Sequence, residues 1–375
     1  MIKKYFTSVI AYPIYIFSLL LNKDSSIWLF SSWNGKSLTD NPRAFFDFCH
    51  SLPSSNSKRF IWITKSKSLA KRYDDFEIYY AYSFSGVYYQ CRAGVVIYSD
   101  SIVENFFEHC ITPNVFQVQT WHGIPLKKIR NHVHVRSSKI YSKFLKCIFP
   151  FRYDNPSIVL STSSEITSTL SEAFGVPTEN VHSLGYPRND KLQNCKIDSY
   201  IGVYKILYAP TYRDFGTNPI INENNLKLLS NFLVKVNAHL FLKLHPAESK
   251  SIKIDILPPN IFVISPEKDL NEVLSNFDML VSDYSGCIID FLLLNRPIIL
   301  FNYDYSEYSR NHGLYSYYKI LIEDVDVSTE VPELVNRIEK LIRQPKKYDR
   351  SKLFFHNFHD KNASRRLYET ICKKI

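Results

Sequence analysis

Four short polar segments each follow an apolar run and carry side chains that move protons or hold anions. They are Trp121-His122-Gly123, Thr211-Tyr212-Arg213-Asp214, Lys243-Leu244-His245-Pro246 and Asp283-Tyr284-Ser285. Two histidines, an arginine, a lysine and several hydroxyls form a set suited to phosphoryl transfer. Cations and N–H groups hold a pyrophosphate, while a neutral histidine accepts the proton of an attacking hydroxyl. One such histidine taken alone is more often structural; four such endings in one chain favour chemistry. No Walker-type phosphate loop is present, which speaks against ATP hydrolysis. The spacing of histidines and carboxylates points to no dedicated metal site.

The elements that must position these groups read as strands and crossover helices. Asp278 to Asn302 shows the pattern most fully: an apolar run at Met279–Ser282, a tight turn, a helix from Ser285 to Leu294, then an apolar run at Pro297–Phe301. Two buried strands joined by a helix form a parallel crossover unit. Ligands collect beyond the carboxyl ends of such strands, where Asp283, Tyr284, Ser285 and Gly286 fall. Ser285 either caps the helix or donates its hydroxyl to a phosphate at the helix N-terminus. Further strands are expected at Ile27–Ser31, Arg59–Thr64, Glu77–Ala81, Gly94–Ser99, Val115–Thr120, Ile158–Ser161, Val181–Leu184, Lys205–Ala209, Leu240–Leu244 and Ile261–Ile264. Helices are expected between them, one of them with Asp40 and Asn41 as caps and Pro42 at its first position. The alternation predicts an α/β protein of two doubly wound, mainly parallel sheets facing a cleft. The polar stretch between Asp190 and Tyr204 reads as the linker, so the chain divides into residues 23–195 and 196–375, the last helix lying in the second part.

The chain has 375 residues, 45% of them hydrophobic, enough for two domains of ordinary size. A net charge of +10 suits anionic partners without choosing among them. No nucleic-acid-binding motif accompanies it. Seven scattered cysteines, none in a C-x-x-C pair, read as reduced thiols rather than a disulfide framework or zinc site. After Lys3 and Lys4, Tyr5 to Leu21 carries no charge. It is short of the roughly 20 residues a spanning helix needs, and no cleavage site follows. An interfacial helix on the inner leaflet fits residues 1–22, the alternative being a helix packed on the protein itself. On the interfacial reading, removing it leaves the catalytic part intact. A basic stretch follows His122: Lys127, Lys128, Arg130, His132, His134, Arg136 and Lys139. With Trp121, it reads as an acceptor or lipid-headgroup patch, against the plain reading of a solvated surface.

Taken in order, QTWHGIPLK, TSSE, GYPRND, YAPTYRD, LKLHP, SDYSG…DFLLLNRPIILFNYD and the terminal NASRR resemble the CDP-glycerol glycerophosphotransferase family. This is the family of teichoic-acid primases and polymerases and of related capsule enzymes. The early WLFSSWNGKSLTDNPRAFF is similar to its opening segment. The resemblance implies a GT-B fold with the donor in the C-terminal domain. It implies transfer of glycerol phosphate from CDP-glycerol to a hydroxyl of a lipid-linked or polymer acceptor, with release of CMP and no required metal or cofactor. The partners implied are CDP-glycerol or another CDP-polyol, an undecaprenyl-diphosphate-linked acceptor and anionic lipid, at the cytoplasmic face of the membrane. Carried over by position, His122 is the general base and His245 contacts the donor phosphates. Thr211, Arg213 and Lys243 fall with the donor, as do Tyr284, Ser285 and the Gly286 N–H. Asp283 and Asp290 act around the donor alcohol. The chain departs from the family at Gly286, where a second serine is common, at His312 in place of an arginine, and at Lys361 in place of a glycine. These departures bear on the alcohol, leaving CDP-ribitol or another CDP-polyol as the alternative donor; a GT-B glycosyltransferase using a nucleotide sugar is the separate alternative reading.

Overall fold

The computed structural model describes residues 9–53, 57–72, 75–133, 145–192, 202–213, 218–245, 248 and 257–375. The chain divides into two compact units. The first comprises Met1–His122, His134–Asp190 and Asp360–Ile375; the second comprises Gly123–Val133 and Lys191–His359. The boundary expected near 195 thus falls at 190, and the last helix belongs to the first unit. His134, Arg136, Lys139, Asp214, Pro246 and the residues before Val9 lie outside the described residues.

Among the described residues the first unit carries seven strands: β1 (Asp24–Ser31), β2 (Arg59–Thr64), β3 (Ile78–Tyr80), β4 (Ala93–Tyr98), β5 (Phe116–Gln119), β6 (Ile158–Ser161) and β7 (Val181–Ser183). Their order is β3-β2-β1-β4-β5-β6-β7, with every pairing parallel. A parallel sheet is covered on both faces, so its strands are near-continuous apolar runs. The last five residues of β1 are all buried. One face packs Ile27, Leu29, Ile61, Ile63 and Val96 into a core. The other is aromatic: Phe30 meets Phe45 and Phe46 of helix α2 (Asp40–Ser51), and Trp28 lies on Tyr368 of the last helix. The helix Thr167–Phe174 stops at Gly175, whose φ of 67° makes the left-handed cap that glycine adopts at little cost.

The second unit carries β8 (Tyr204–Tyr208), β9 (Ala238–Leu242), β10 (Ile261–Val263), β11 (Met279–Ser282), β12 (Ile298–Phe301) and β13 (Asp326–Ser328) in the order β10-β9-β8-β11-β12-β13, again all parallel. Strand β13 and the helices Tyr305–His312, Tyr318–Asp324 and Asp349–Phe355 are not apparent in the sequence pattern.

Strand order places one reversal in each sheet. The chain leaves β1 outward through β2 and β3, then returns to place β4 on β1's other side. It likewise leaves β8 through β9 and β10 and returns at β11. Ligand sites of open α/β sheets lie at the carboxyl ends of the strands flanking such a reversal.

Candidate functional site

In the second unit the reversal brings together the ends of β8 and β11. The Thr211 N–H donates to Asp283 Oδ1 at 2.8 Å, and Ser282 Oγ donates to the Ala209 carbonyl at 2.6 Å. Thr211, Arg213, Asp283 and Tyr284 therefore converge as the sequence suggests, but as one interlocked framework. Arg213 Nη2 donates to Asp283 Oδ2 at 2.8 Å, Arg213 Nε donates to Asp304, and its third nitrogen donates to the Thr211 carbonyl. Tyr284, Tyr303 and Tyr308 ring the guanidinium at 5.1, 5.4 and 4.5 Å. The tyrosine quadrupoles and the two carboxylates hold this cation firmly in its charged form. Burial alone pushes the Asp283 carboxyl up, and Arg213 with the Thr211 and Tyr284 donors opposes it. Asp304, just beyond β12 in the NYD segment and not singled out in the sequence, completes the pair.

Ser285 and Gly286 stand partly exposed beyond this framework. The Cys287 N–H donates to Ser285 Oγ at 3.4 Å, one residue before the N-cap Gly286, which has no side-chain capping bond. The helix it starts is Cys287–Leu292, shorter than expected, which limits any dipole effect. A Cβ at Gly286 would lie 2.9 Å from the Ile124 carbonyl oxygen, so the family's second serine has no room here. Asp290 is buried within that helix. His245 is exposed, its ring 4.4 Å from that of Tyr212. Lys243 stands apart: its ammonium donates to the Ser265 and Pro266 carbonyls, and burial lowers its pKa. Lys127 and Lys128 lie along the Gly313–Leu314 backbone: Lys127 bridges Leu314, and the Lys128 N–H donates to the Gly313 carbonyl at 3.0 Å. Arg130 opens a short turn with a φ of 46°.

In the first unit His122 follows β5, beside the reversal between β1 and β4. Its ring is exposed and stacks on Trp121 at 4.0 Å. The loop is fixed from beneath. The Trp121 N–H donates to Gln119 Oε1 at 2.8 Å, and Asn41 Nδ2 donates to the Trp121 carbonyl at 3.1 Å. The protein packed around it lowers the pKa of His122 from 6.5; Asp40 and Asp100 oppose that, and Arg188 reinforces it. A lowered pKa favours the neutral imidazole, the form that accepts a proton. Asp40 was expected only as a helix cap. It instead accepts from Arg188 Nη1 at 2.7 Å and from Trp33 Nε1 at 3.2 Å. Asp40, Arg188 and Trp33 were missed because their convergence depends on strand order.

Among the described residues no three His, Cys, Asp or Glu side chains gather as metal ligands. No described helix is long and apolar enough to cross a membrane.

A family model described as CDP-glycerol:poly(glycerophosphate) glycerophosphotransferase matches residues 14–373. The chain is similar to the teichoic acid glycerol-phosphate transferase of Staphylococcus aureus, with 26% identity over 100% of both chains. It is similar to the teichoic acid poly(glycerol phosphate) polymerase of Bacillus spizizenii, with 28% identity over 79% of each. The structure of the wall teichoic acid polymerase TagF superimposes with a TM-score of 0.78 at 22% identity, covering 97% of this chain and 93% of that one. At that identity the likeness shows the fold, which is GT-B-like, with two parallel-sheet α/β units.

Proposed function

We infer the reaction from one premise: the chain belongs to the CDP-glycerol:poly(glycerophosphate) glycerophosphotransferase family. It transfers glycerol phosphate from CDP-glycerol to a hydroxyl of a lipid-linked or polymer acceptor in teichoic-acid synthesis. The acceptor oxygen attacks the phosphorus that bears glycerol. The bond from that phosphorus to the CMP oxygen breaks, CMP leaves, and the hydroxyl proton passes to His122. The observation that carries this reading is His122 itself, exposed beyond the end of β5 on a loop that Gln119 and Asn41 hold in place. A base so placed is worth about 10²–10⁴ in rate.

The donor falls to the second unit. Ser285, the Gly286 N–H and His245 are the groups offered to its phosphates. Arg213 and Asp283, both buried and paired, hold the Thr211 and Tyr284 segments in place rather than touching the donor. Lys127, Lys128, Arg130 and Trp121 remain candidates for acceptor or headgroup contact. Attachment to the cytoplasmic face of the membrane is supported by helix α1 (Tyr12–Leu20), which buries Tyr15 and Ser18 and exposes Ile16, Phe17, Leu19 and Leu20.

CMP release tests the reading, measured with CDP-glycerol, CDP-ribitol and UDP-sugars, detergent-solubilised lipid acceptor and EDTA. Release is expected from CDP-glycerol, only with acceptor, unaffected by EDTA, and reduced by about 10²–10⁴ in His122→Ala. Turnover of UDP-sugars alone would return the function to glycosyl transfer.

A further inference from the structure

The reversal of the first sheet has a loop of its own, Trp33-Asn34-Gly35, at the end of β1. Its backbone is held in a conformation that side chains other than glycine resist. Seven described non-glycine residues have positive φ, and four of them meet here: Trp33 (46°), Asn34 (58°), Asp40 (66°) and Trp121 (54°). Such a conformation is disfavoured for side chains other than glycine, most of all for the two tryptophans, and strain of this kind concentrates at binding and catalytic sites. The surrounding strands impose it. The Trp33 N–H donates to Ser99 Oγ at 3.2 Å and the Asn34 N–H to Asp100 Oδ2 at 3.0 Å, both at the end of β4. Thr64 Oγ1, from β2, donates to the Gly35 carbonyl at 2.8 Å.

The strain fixes an indole. Trp33 Nε1 is tied to Asp40, which Arg188 anchors in turn, and the ring centroid lies 5.9 Å from that of His122. Yet Trp33 remains 49% exposed. A large apolar ring, rigidly presented to solvent beside the base, is pre-organised to receive something flat and weakly polar. Asp40 pairs with Arg188, and Asp100 accepts from the Asn34 N–H, so the loop sets a second carboxylate beside the indole. That arrangement favours a neutral polyhydroxyl ring over a phosphate. The loop's own cation, Lys36, acts on Lys65, whose ammonium donates to the Val103 carbonyl.

We propose that Trp33 is the acceptor platform: a neutral saccharide ring at the acceptor's terminus stacks on it and presents a hydroxyl to His122. The proposal rests on the transferase reading and deepens it. It makes the preferred acceptor a sugar-terminated one, so the reaction that supplies this substrate is a glycosyl transfer, and the product is a first glycerol phosphate on a sugar.

Two probes test it: an alkyl pyranoside and the alkyl ester of glycerol phosphate with the same chain, both below their micelle concentrations. Calorimetry reads binding without turnover. Wild type is expected to bind the pyranoside more tightly than the ester. Trp33→Ala should weaken pyranoside binding about three- to tenfold, and Trp33→Phe should restore most of it. In turnover, Trp33→Ala should raise the KM for the pyranoside and leave that for CDP-glycerol unchanged. Circular dichroism confirms that the variants are folded. Tighter binding of the glycerol phosphate ester by wild type, or a Trp33→Ala affinity equal to wild type, overturns the platform. Pyranoside binding that depends on Trp33, with no CMP released from CDP-glycerol, would leave the platform standing and count against the reaction instead.

Discussion

Arg213 shows what residue type conveys and what it hides. In sequence it is a cation after a strand, near a presumed pyrophosphate. In the structure its donors go to Asp283, Asp304 and the Thr211 carbonyl, and its side chain is 3% exposed. Breaking a buried ion pair by removing one partner costs about 3–5 kcal/mol, because the charge left behind stays buried. Arg213→Ala should therefore lower the urea-unfolding free energy by that order. Arg213→Lys should recover little, since one ammonium cannot reproduce a fork between two carboxylates. A fully stable Arg213→Ala protein that had lost only CDP-glycerol affinity would make Arg213 a donor ligand after all. The position of His122 was legible because an apolar strand ends just before it, which puts the loop at the sheet's edge. Asp40 was not, because aspartate before Asn-Pro reads equally well as a helix cap. Gly286 is a departure with a local cause: the backbone of Ile124 occupies the space a side chain would need.

At the level of elements, the strands were legible to within a few residues, since a strand buried on both faces in a parallel sheet leaves an unbroken apolar run; β1 starts earlier than expected and β9 lies nearer the N-terminus. Arg59–Thr64, Ile158–Ser161 and Met279–Ser282 fall where the runs place them. The helix Tyr305–His312 escaped because it buries little beyond Tyr308 and so shows no apolar period. Strand β13 escaped because three edge residues carry no pattern. The short helix Cys287–Leu292 raises a different question, what holds it beneath the donor side. His356, at the end of the helix Asp349–Phe355, donates Nε2–H to the Ile289 carbonyl at 2.7 Å and is buried. Burial pushes its pKa down from 6.5 to about 4. A histidine depressed in the folded state contributes stability that is fully present above pH 6.5 and is lost as pH falls toward 4. Between pH 7.5 and pH 5 the unfolding free energy should drop by about 2 kcal/mol from this group. Urea melts of wild type and His356→Gln at the two pH values measure it. The variant should show a smaller difference than wild type by that amount, and equal differences would remove His356 from the account.

For the whole molecule, the alternation of strands and helices indicated two α/β units, but the path of the chain between them was not legible. The last helix, Ala363–Lys374, joins the first unit because Asp190 accepts from the Ala363 and Ser364 N–H groups at 2.9 Å each, and Arg366 Nε donates to the Leu184 carbonyl. These contacts span more than 170 positions, beyond the reach of any local pattern. Helix α1 packs on the protein along one face, which is the second of the two readings of its sequence. Tyr15 packs on Phe151 at 4.9 Å and Ser18 Oγ donates to the Cys110 carbonyl, so its inner face is core. Deleting residues 1–22 would thus unseat the first unit, contrary to the expectation that the segment is separable. The outer face is the one to test, because Phe17 and Leu20 are 59% and 80% exposed. Burying each in a bilayer interface is worth about 1.5–3 kcal/mol, and the net charge of +10 adds attraction to anionic lipid. Flotation with vesicles of phosphatidylglycerol and phosphatidylcholine separates the two contributions. Raising salt screens the electrostatic one and leaves the apolar one. Wild type should stay partly bound at high salt, whereas Phe17→Asp with Leu20→Asp should bind at low salt only and more than tenfold more weakly. Salt-resistant binding that survives the double substitution would place the membrane contact on another face of the protein.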